Sequence, residues 1–211
     1  RLFNFAVAPN HKEIGININT VPVLDLRQKK SNDIIGDRSF ASDPKIVSKI
    51  GDYCIDLLHN HNIGTVIKHI PGHGLTNTDS HISTPIVRKK IKRLLKEDFY
   101  PFKNKKSLFA MTAHIIYHNI DSLNTATHSK KIIKIIRDKI KFKNIIISDD
   151  ISMKSLKYSI GENTERAFTA GCNLVLHCNG KYNEMISVAN KSPKLSNFLI
   201  KKTSQFYKIL G

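Results

Sequence analysis

The chain has 211 residues, of which 40% are hydrophobic and 24% are charged, and its formal net charge is +17. This composition predicts one globular domain with a sizeable core and excludes an intrinsically disordered chain. No apolar run approaches the ~20 residues of a membrane span, so we expect no membrane partner. The three cysteines are odd in number and form no C-x-x-C pair, so we expect neither a disulfide framework nor a zinc site, and a reducing compartment fits best.

The net charge raises nucleic-acid binding as one alternative. In residues 88–102 and 129–142, however, the lysines alternate with apolar residues at helical spacing, as they do on the solvated face of an amphipathic helix. The sequence has no nucleic-acid recognition motif and no aromatic stacking pattern. We therefore expect no specific nucleic-acid partner.

Short apolar runs alternate with amphipathic segments along the whole chain. The predicted strands cover 16–26, 64–70, 107–113, 144–148 and 173–178. The first predicted helix begins at Pro44 and is capped by Ser42 or Asp43. The other predicted helices cover 87–100, 127–140, 161–170 and 182–210. Strand followed by helix, five times over, indicates a parallel sheet, either a barrel or a doubly wound fold.

Polar residues stand where the predicted strands end. Asp25, Lys68 with His69, His114 and Asp149 each follow a separate apolar run, and in a β/α barrel such ends converge on one mouth. No G-x-G-x-x-G supports a dinucleotide fold. We therefore predict an α/β fold of the (β/α)8 TIM-barrel type that is incomplete, with about five of the eight β/α units. Residues 1–211 are expected to be a single catalytic barrel domain, either the C-terminal portion of a longer protein or an open fold completed by another chain.

The segment 68–85, KHIPGHGLTNTDSHISTP, has the glycines and prolines of a loop and many titratable groups. Its most informative pair is Asp79 and His81, because an imidazole exchanges protons near neutral pH and a neighbouring carboxylate stabilises its charged form. The alternative is a polar loop whose histidines bind backbone groups. A metal held by His69, His73 and His81 is disfavoured, because the loop is broken by Pro and Gly and no cysteine or carboxylate cluster completes the ligands.

Asp149 and Asp150 end an apolar run, where a carboxylate can be held rigidly against a substrate. One such carboxylate, combined with an acid/base group on a different loop, matches retaining glycoside hydrolysis. The carboxylate attacks the anomeric carbon, and the acid/base group protonates the leaving oxygen and then activates water. Adjacent aspartates after a strand are also typical of a helix cap, which remains the alternative for Asp150.

The sequence resembles the β-N-acetylhexosaminidases of glycoside hydrolase family 3 in six blocks that occur in the family's order. These are PVLDL at 22–26, IGDRSFASDP at 35–44, KHIPGHGLTNTDSH at 68–81, AMTAHIIY at 110–117, ISDDISM at 147–153 and AGCNLVLHCN at 170–179. The resemblance implies that Asp149 is the nucleophile, His81 the general acid/base and Asp79 the residue that orients His81. It assigns Arg38, Lys68 and His69 to the sugar, and it places Asp25, His114 and Met153 among the substrate-binding positions.

The resemblance also implies a cytoplasmic enzyme of peptidoglycan recycling, without a metal or organic cofactor. Its substrate would be a small carbohydrate with terminal β-linked N-acetylglucosamine, either an N-acetylglucosaminyl-anhydromuropeptide or a chitooligosaccharide. The family's Asp-x-Glu-Gly-Gly loop is absent from these residues, which leaves open an inactive remnant or a sugar-binding module. Transfer of the sugar to phosphate is a second alternative, because a histidine acid/base leaves the pocket less negative than a glutamate would.

Overall fold

A computed structural model describes residues 14–27, 35–76 and 83–210. Its strands are β1 Ile18–Asn19, β2 Gly64–Ile70, β3 Ile86–Val87, β4 Phe109–Thr112, β5 Ile116–Tyr117, β6 Ile145–Asp150 and β7 Leu174–Leu176. Five of them form a central sheet in which every neighbouring pair is parallel, in the order β1-β2-β4-β6-β7. A separate parallel pair is formed by β3 and β5.

Six α-helices connect or follow these strands in the described residues: α1 Pro44–Asn60, α2 Ile91–Leu94, α3 Lys130–Asp138, α4 Ile160–Ala170, α5 Tyr182–Lys191 and α6 Asn197–Leu210. Short 3₁₀ helices cover Gly36–Arg38, Tyr100–Phe102 and Ala126–His128. The helix starts follow the expected chemistry, since the side chain of Asp43 accepts from the N–H groups of Lys45 and Ile46 ahead of Pro44. Ser129 and Ser159 cap α3 and α4 in the same way.

The sheet is buried on both faces because its side chains alternate between two apolar layers. Ile67, Ala110 and Ile146 belong to the larger layer, which also contains side chains of α1, α3 and α4. Val66, Phe109 and Ile145 face the other way, where Leu199 and Phe206 of α6 cover them. Apolar residues on both faces are typical of a parallel strand between helices.

Helix α6 packs closely against the start of β2. A Cβ atom on Gly64, the first residue of that strand, would lie 2.5 Å from Cε2 of Phe206. The rings of Phe109 and Phe206 meet edge to face with their centroids 5.9 Å apart. Helix α6 therefore covers the sheet near the amino ends of its strands, and the polar residues lie at the opposite, carboxyl ends.

Three predicted elements are wrong in their extent. The first strand, predicted over 16–26, contains a proline, and only Ile18–Asn19 and an isolated bridge at Val23 pair with β2. The predicted helix over 87–100 is instead the end of β3, the single turn α2 and a series of turns. The predicted helix over 182–210 is two helices, because Pro193 follows α5 and cannot continue its hydrogen bonds.

The predicted fold class is confirmed. The sheet has five parallel strands joined by helical connections, and it corresponds to an incomplete (β/α)8 TIM-barrel type. The description of residues 1–211 as a single catalytic domain stays a prediction. Across the described ranges, no helix combines the length and the apolar character that crossing a bilayer requires.

Candidate active site

Asp149 lies near the carboxyl end of β6, and its side chain is 21% exposed. Its Oδ1 atom accepts a hydrogen bond of 2.8 Å from the backbone N–H of Asp150, so the carboxylate is held by the strand that carries it. Its Oδ2 atom lies 3.9 Å from Nε2 of His69, which is near the end of β2. The structure thus presents an accessible carboxylate next to an imidazole.

His69 is held in place by Asp25, which follows the bridge between Val23 and Lys68. The Nδ1 atom of His69 lies 2.7 Å from Oδ2 of Asp25, and the backbone N–H of His69 also donates to this carboxylate at 3.1 and 3.2 Å. A carboxylate can only accept, so we assign the proton to Nδ1 of His69. Nε2 is therefore the ring atom that is presented to Asp149.

Asp25 is completely buried, and it is nevertheless charged. Burial alone would raise the pKa of its carboxyl, but attraction to His69 and hydrogen bonds from His69 and His73 outweigh this effect and lower the pKa below its ordinary value. The backbone N–H of His73 supplies one of these bonds, at 2.7 Å to Oδ1. Burial lowers the pKa of His73 to about 4, so this second imidazole is neutral at physiological pH.

Two cationic side chains lie on the same side of the site. Burial lowers the pKa of Lys68, while attraction by Asp149 opposes the shift and repulsion by Arg38 adds to it. Lys68 is therefore close enough to Asp149 and to Arg38 to interact electrostatically with each of them. Lys68 also donates to Oγ1 of Thr20 at 3.4 Å, which anchors the lysine over the edge of the sheet. Arg38 ends the 3₁₀ helix Gly36–Arg38.

His114 contacts the backbone at the end of β6. Its Nε2 atom lies 3.0 Å from the carbonyl oxygen of Asp150, and its Nδ1 atom lies 2.7 Å from Oγ1 of Thr127. Since the carbonyl can only accept, the proton is on Nε2 and the hydroxyl of Thr127 donates to Nδ1. Burial lowers the pKa of His114, in keeping with a neutral ring.

Asp150 and Met153 form the turn after β6. The carboxylate of Asp150 accepts from the N–H and hydroxyl of Ser152 and from the N–H of Cys178, so it ties this turn to the end of β7. The backbone N–H of Met153 donates to the carbonyl of Asp150 at 3.2 Å, and the Met153 side chain is buried. The alternative of a structural role for Asp150 therefore agrees with its contacts, although the segment it caps is a turn rather than a helix.

The predicted acid/base pair, Asp79 and His81, lies outside the described residues. The described residues on either side of this pair make side-chain hydrogen bonds. On one side, Oγ1 of Thr76 lies 2.9 Å from Nδ1 of His73. On the other, Thr84 donates to the carbonyl of Ser155 at 2.6 Å, which joins the end of this segment to the loop that follows β6.

The structure thus brings together the strand-end residues that the sequence proposed: Asp25, Lys68, His69, His114 and Asp149, with Arg38 beside them. Sequence reasoning missed Thr127, whose hydroxyl reaches His114 from the 3₁₀ helix before α3. Nothing in its local sequence distinguishes it from an ordinary helix cap. Within the described part of the chain, no three His, Cys, Asp or Glu side chains are arranged to hold a metal ion.

A parallel β/α sheet with two carboxylates, two histidines and two cations at its carboxyl edge defines a barrel-type domain with a polar site at the strand ends. Residues 4–204 match the model of the glycosyl hydrolase family 3 N terminal domain. The chain therefore belongs to this family.

Curated relatives and solved structures agree with that assignment. The chain is 34% identical over 184 residues to a β-hexosaminidase of Nitrosomonas eutropha, covering 85% of this chain and 53% of that protein. It is 36% identical over 173 residues to a β-hexosaminidase of Actinobacillus pleuropneumoniae, covering 79% and 49% respectively. NagZ from Neisseria gonorrhoeae superposes with a TM-score of 0.84 at 28% identity, covering 94% of this chain and 58% of that structure. The chain spans about half the length of the curated relatives it matches.

Proposed function

We propose that this chain is part of a retaining β-N-acetylhexosaminidase in which Asp149 is the nucleophile. The observation that carries the proposal is the placement of Asp149, an accessible carboxylate at the end of β6, 3.9 Å from the imidazole of His69 and within electrostatic reach of Lys68. A nucleophile needs this accessibility, because its oxygen must approach the anomeric carbon. Family membership and relatives named β-hexosaminidase support the same reaction class.

In the proposed reaction, a carboxylate oxygen of Asp149 forms a bond to the anomeric carbon as the glycosidic bond breaks. His81, oriented by Asp79, donates its proton to the leaving oxygen and afterwards removes a proton from the attacking water. A histidine becomes neutral after it gives up its proton, so it adds no second negative charge beside the carboxylate nucleophile. Water then releases the sugar from Asp149 with the original anomeric configuration.

The sugar itself would be held by donors around Asp149. We propose that Lys68 and Arg38 donate to hydroxyl and N-acetyl oxygens of a terminal N-acetylglucosamine, and that Nε2 of His69 accepts a hydrogen bond from a sugar hydroxyl. Asp25 has no exposed surface, so its proposed contribution is to fix the ring of His69. A structure of the Neisseria NagZ with N-trifluoroacetyl-D-glucosamine shows that a relative of this fold binds such a sugar. His114 and Met153 would shape the pocket floor through the end of β6.

We further propose a small muropeptide or chitooligosaccharide as the substrate and the cytoplasm as the place of action, in peptidoglycan recycling. The Neisseria NagZ likeness is the support for this finer assignment.

The test is hydrolysis of a nitrophenyl N-acetyl-β-glucosaminide by the full-length protein. Asp149→Asn should lower kcat by roughly a thousandfold or more, because the nucleophile is lost. Asp138→Asn is the matched control, since Asp138 is an exposed carboxylate at the end of α3. Nuclear magnetic resonance should show the β-anomer as the first product, which establishes retention.

Three results would contradict the proposal or favour the alternatives. Full activity of Asp149→Asn would show that Asp149 is not the nucleophile. Sugar binding without turnover in the wild-type protein would favour a binding module. Faster turnover with added phosphate and a sugar phosphate as product would show transfer to phosphate instead of hydrolysis.

A further inference from the structure

Asp98 is a buried carboxyl group that the proposed chemistry does not use. It follows α2, its residue is only 1% exposed, and neither of its carboxyl oxygens has a hydrogen-bond partner in the structure as described. The N–H of Leu75 lies near enough to favour the ionised form, but it does not reach hydrogen-bond geometry. A buried acid without a partner is costly if it is charged, and most proteins avoid one.

The Asp98 side chain lies directly against the segment Gly72–Leu75. A Cβ atom on Gly72 would lie 2.8 Å from Cβ of Asp98, and one on Gly74 would lie 3.1 Å from its Oδ1 atom. The backbone of Leu26 lies on the same side of Gly74, where the same Cβ atom would be 2.4 Å from the carbonyl oxygen. The segment is therefore packed against both Asp98 and the chain that follows Asp25.

This segment also reaches the site. The N–H of His73, in the middle of the segment, donates to Oδ1 of Asp25, and Oδ2 of Asp25 binds Nδ1 of His69. The carbonyl of Gly72 accepts a hydrogen bond from the hydroxyl of Tyr117. A continuous series of contacts thus connects Asp98 to the imidazole beside Asp149.

We propose that Asp98 is a positioning residue for the reaction, whose neutral carboxyl group packs against Gly72–Leu75 and thereby fixes Asp25 and His69 relative to Asp149. This inference rests on the proposed function. In sequence, the same segment continues into Asp79 and His81.

Electrostatics supports the neutral form. Burial is the main cause that raises the pKa of Asp98 to about 8, and repulsion by Asp25 and Glu97 adds to the shift. The hydroxyl of Tyr117 also faces Asp98, and its own pKa is raised, first by burial and then by the two carboxyl groups. Among the described residues, no cation contributes to the shift in the pKa of Asp98.

The experiment compares Asp98→Asn, Asp98→Ala and the exposed control Asp138→Asn in the full-length protein. Asparagine has nearly the shape of a protonated carboxyl group and cannot ionise, so at about pH 6 its kcat should stay within about twofold of wild type. Alanine leaves the segment unsupported, so kcat should fall roughly tenfold or more because His69 is no longer fixed relative to Asp149, while KM should change by a smaller factor because Lys68 and Arg38 still hold the sugar. A loss in Asp98→Asn as large as that in Asp98→Ala would overturn the proposal.

Urea unfolding provides a second readout that does not depend on activity. A carboxyl whose folded pKa is raised loses stability as the pH rises from the unfolded value towards the folded one. The urea midpoint of the wild type should therefore fall relative to that of Asp98→Asn between about pH 5 and pH 8, and Asp138→Asn should follow the wild type. A constant difference between the urea midpoints of wild type and Asp98→Asn across this pH range would contradict the proposal that the carboxyl group of Asp98 is neutral. If the wild-type protein has no glycosidase activity, the proposed function fails, and the urea series still decides the charge state of Asp98.

Discussion

Replacing Asp25 by asparagine tests the contacts on which the geometry of the site depends. The Asp25 carboxylate receives three donors: the N–H of His73, the N–H of His69 and Nδ1 of His69. An asparagine side chain keeps one acceptor oxygen and places an NH₂ group where the other oxygen was. In either orientation of the amide, at least one donor faces another donor, and water cannot reach the buried position to compensate.

The expected magnitude follows from these contacts. An unsatisfied buried donor costs ~1–3 kcal/mol, and the lost charge of a buried pair adds to this, so we expect a loss of about 2–4 kcal/mol in the free energy of unfolding. That is a large part of a typical domain stability of ~5–15 kcal/mol. We also expect kcat to fall, because the proton can move from Nδ1 to Nε2 of His69 and alter the atom presented to Asp149.

Urea unfolding at neutral pH measures the stability change, with Asp121→Asn as the matched control. Asp121 also has a lowered pKa, against the effect of burial, through hydrogen bonds from Ser129, Leu123 and Asn124. It is partly exposed, so water can replace its contacts and the loss should stay below about 1 kcal/mol. Equal losses in the two variants would refute the reasoning.

The pH dependence adds a signed expectation for the same variant. The folded-state pKa of Asp25 lies below its ordinary value of 3.8, so its stabilising contribution is present above that pH and is lost as the pH falls through the folded value. The stability difference between wild type and Asp25→Asn should therefore be constant from about pH 7 to pH 5 and shrink only below about pH 4. A difference that shrinks already near pH 6 would instead implicate a histidine.

Two further predictions concern other buried groups. Burial lowers the pKa of His128 from 6.5 to about 4, so the unfolded state takes up a proton at this residue before the folded state does. In urea unfolding, the free energy by which wild type is more stable than His128→Gln should therefore fall by about 3 kcal/mol between pH 6.5 and about pH 4. A constant stability difference would contradict a buried neutral ring. Gly74→Ala should cost about 3 kcal/mol or more, because its Cβ atom would meet the carbonyl oxygen of Leu26 at 2.4 Å. In the control Gly161→Ala, the Cβ atom would meet the Ser187 hydroxyl, which can rotate, at 2.8 Å and Cγ of Lys191 at an ordinary contact distance of 3.5 Å, so thermal melting should separate the two variants clearly.

Much of the fold could be predicted because the buried faces of helices and strands require apolar residues at regular spacing in the sequence. The strand over 64–70 was predicted with its observed limits, and the start of α1 follows from Asp43 and Pro44. The errors fall where periodicity and backbone chemistry disagree. Residues 88–102 have amphipathic spacing, yet only Ile91–Leu94 is an α-helix, because packing of the later residues decides the backbone there.

The position of the site could also be predicted, because the carboxyl ends of parallel strands meet at one edge of a sheet. Its internal contacts could not. Asp25 and His69 are separated by 44 residues, and their hydrogen bond depends on the pairing of Val23 with Lys68. The sequence identifies Asp25 and His69 as candidate site residues, but it does not show that Asp25 is buried and orients His69.

Burial gives the two strand-end carboxylates different proposed roles. Asp25 has no exposed surface and all its donors come from the protein, so it can orient a neighbour but cannot attack a substrate. Asp149 keeps 21% of its side chain exposed, and its Oδ2 atom lies 3.9 Å from Nε2 of His69. A sugar entering the site can approach this oxygen while the same imidazole binds a hydroxyl. If exposure assigns the roles in this way, Asp25→Asn should reduce turnover partially, whereas Asp149→Asn should abolish it.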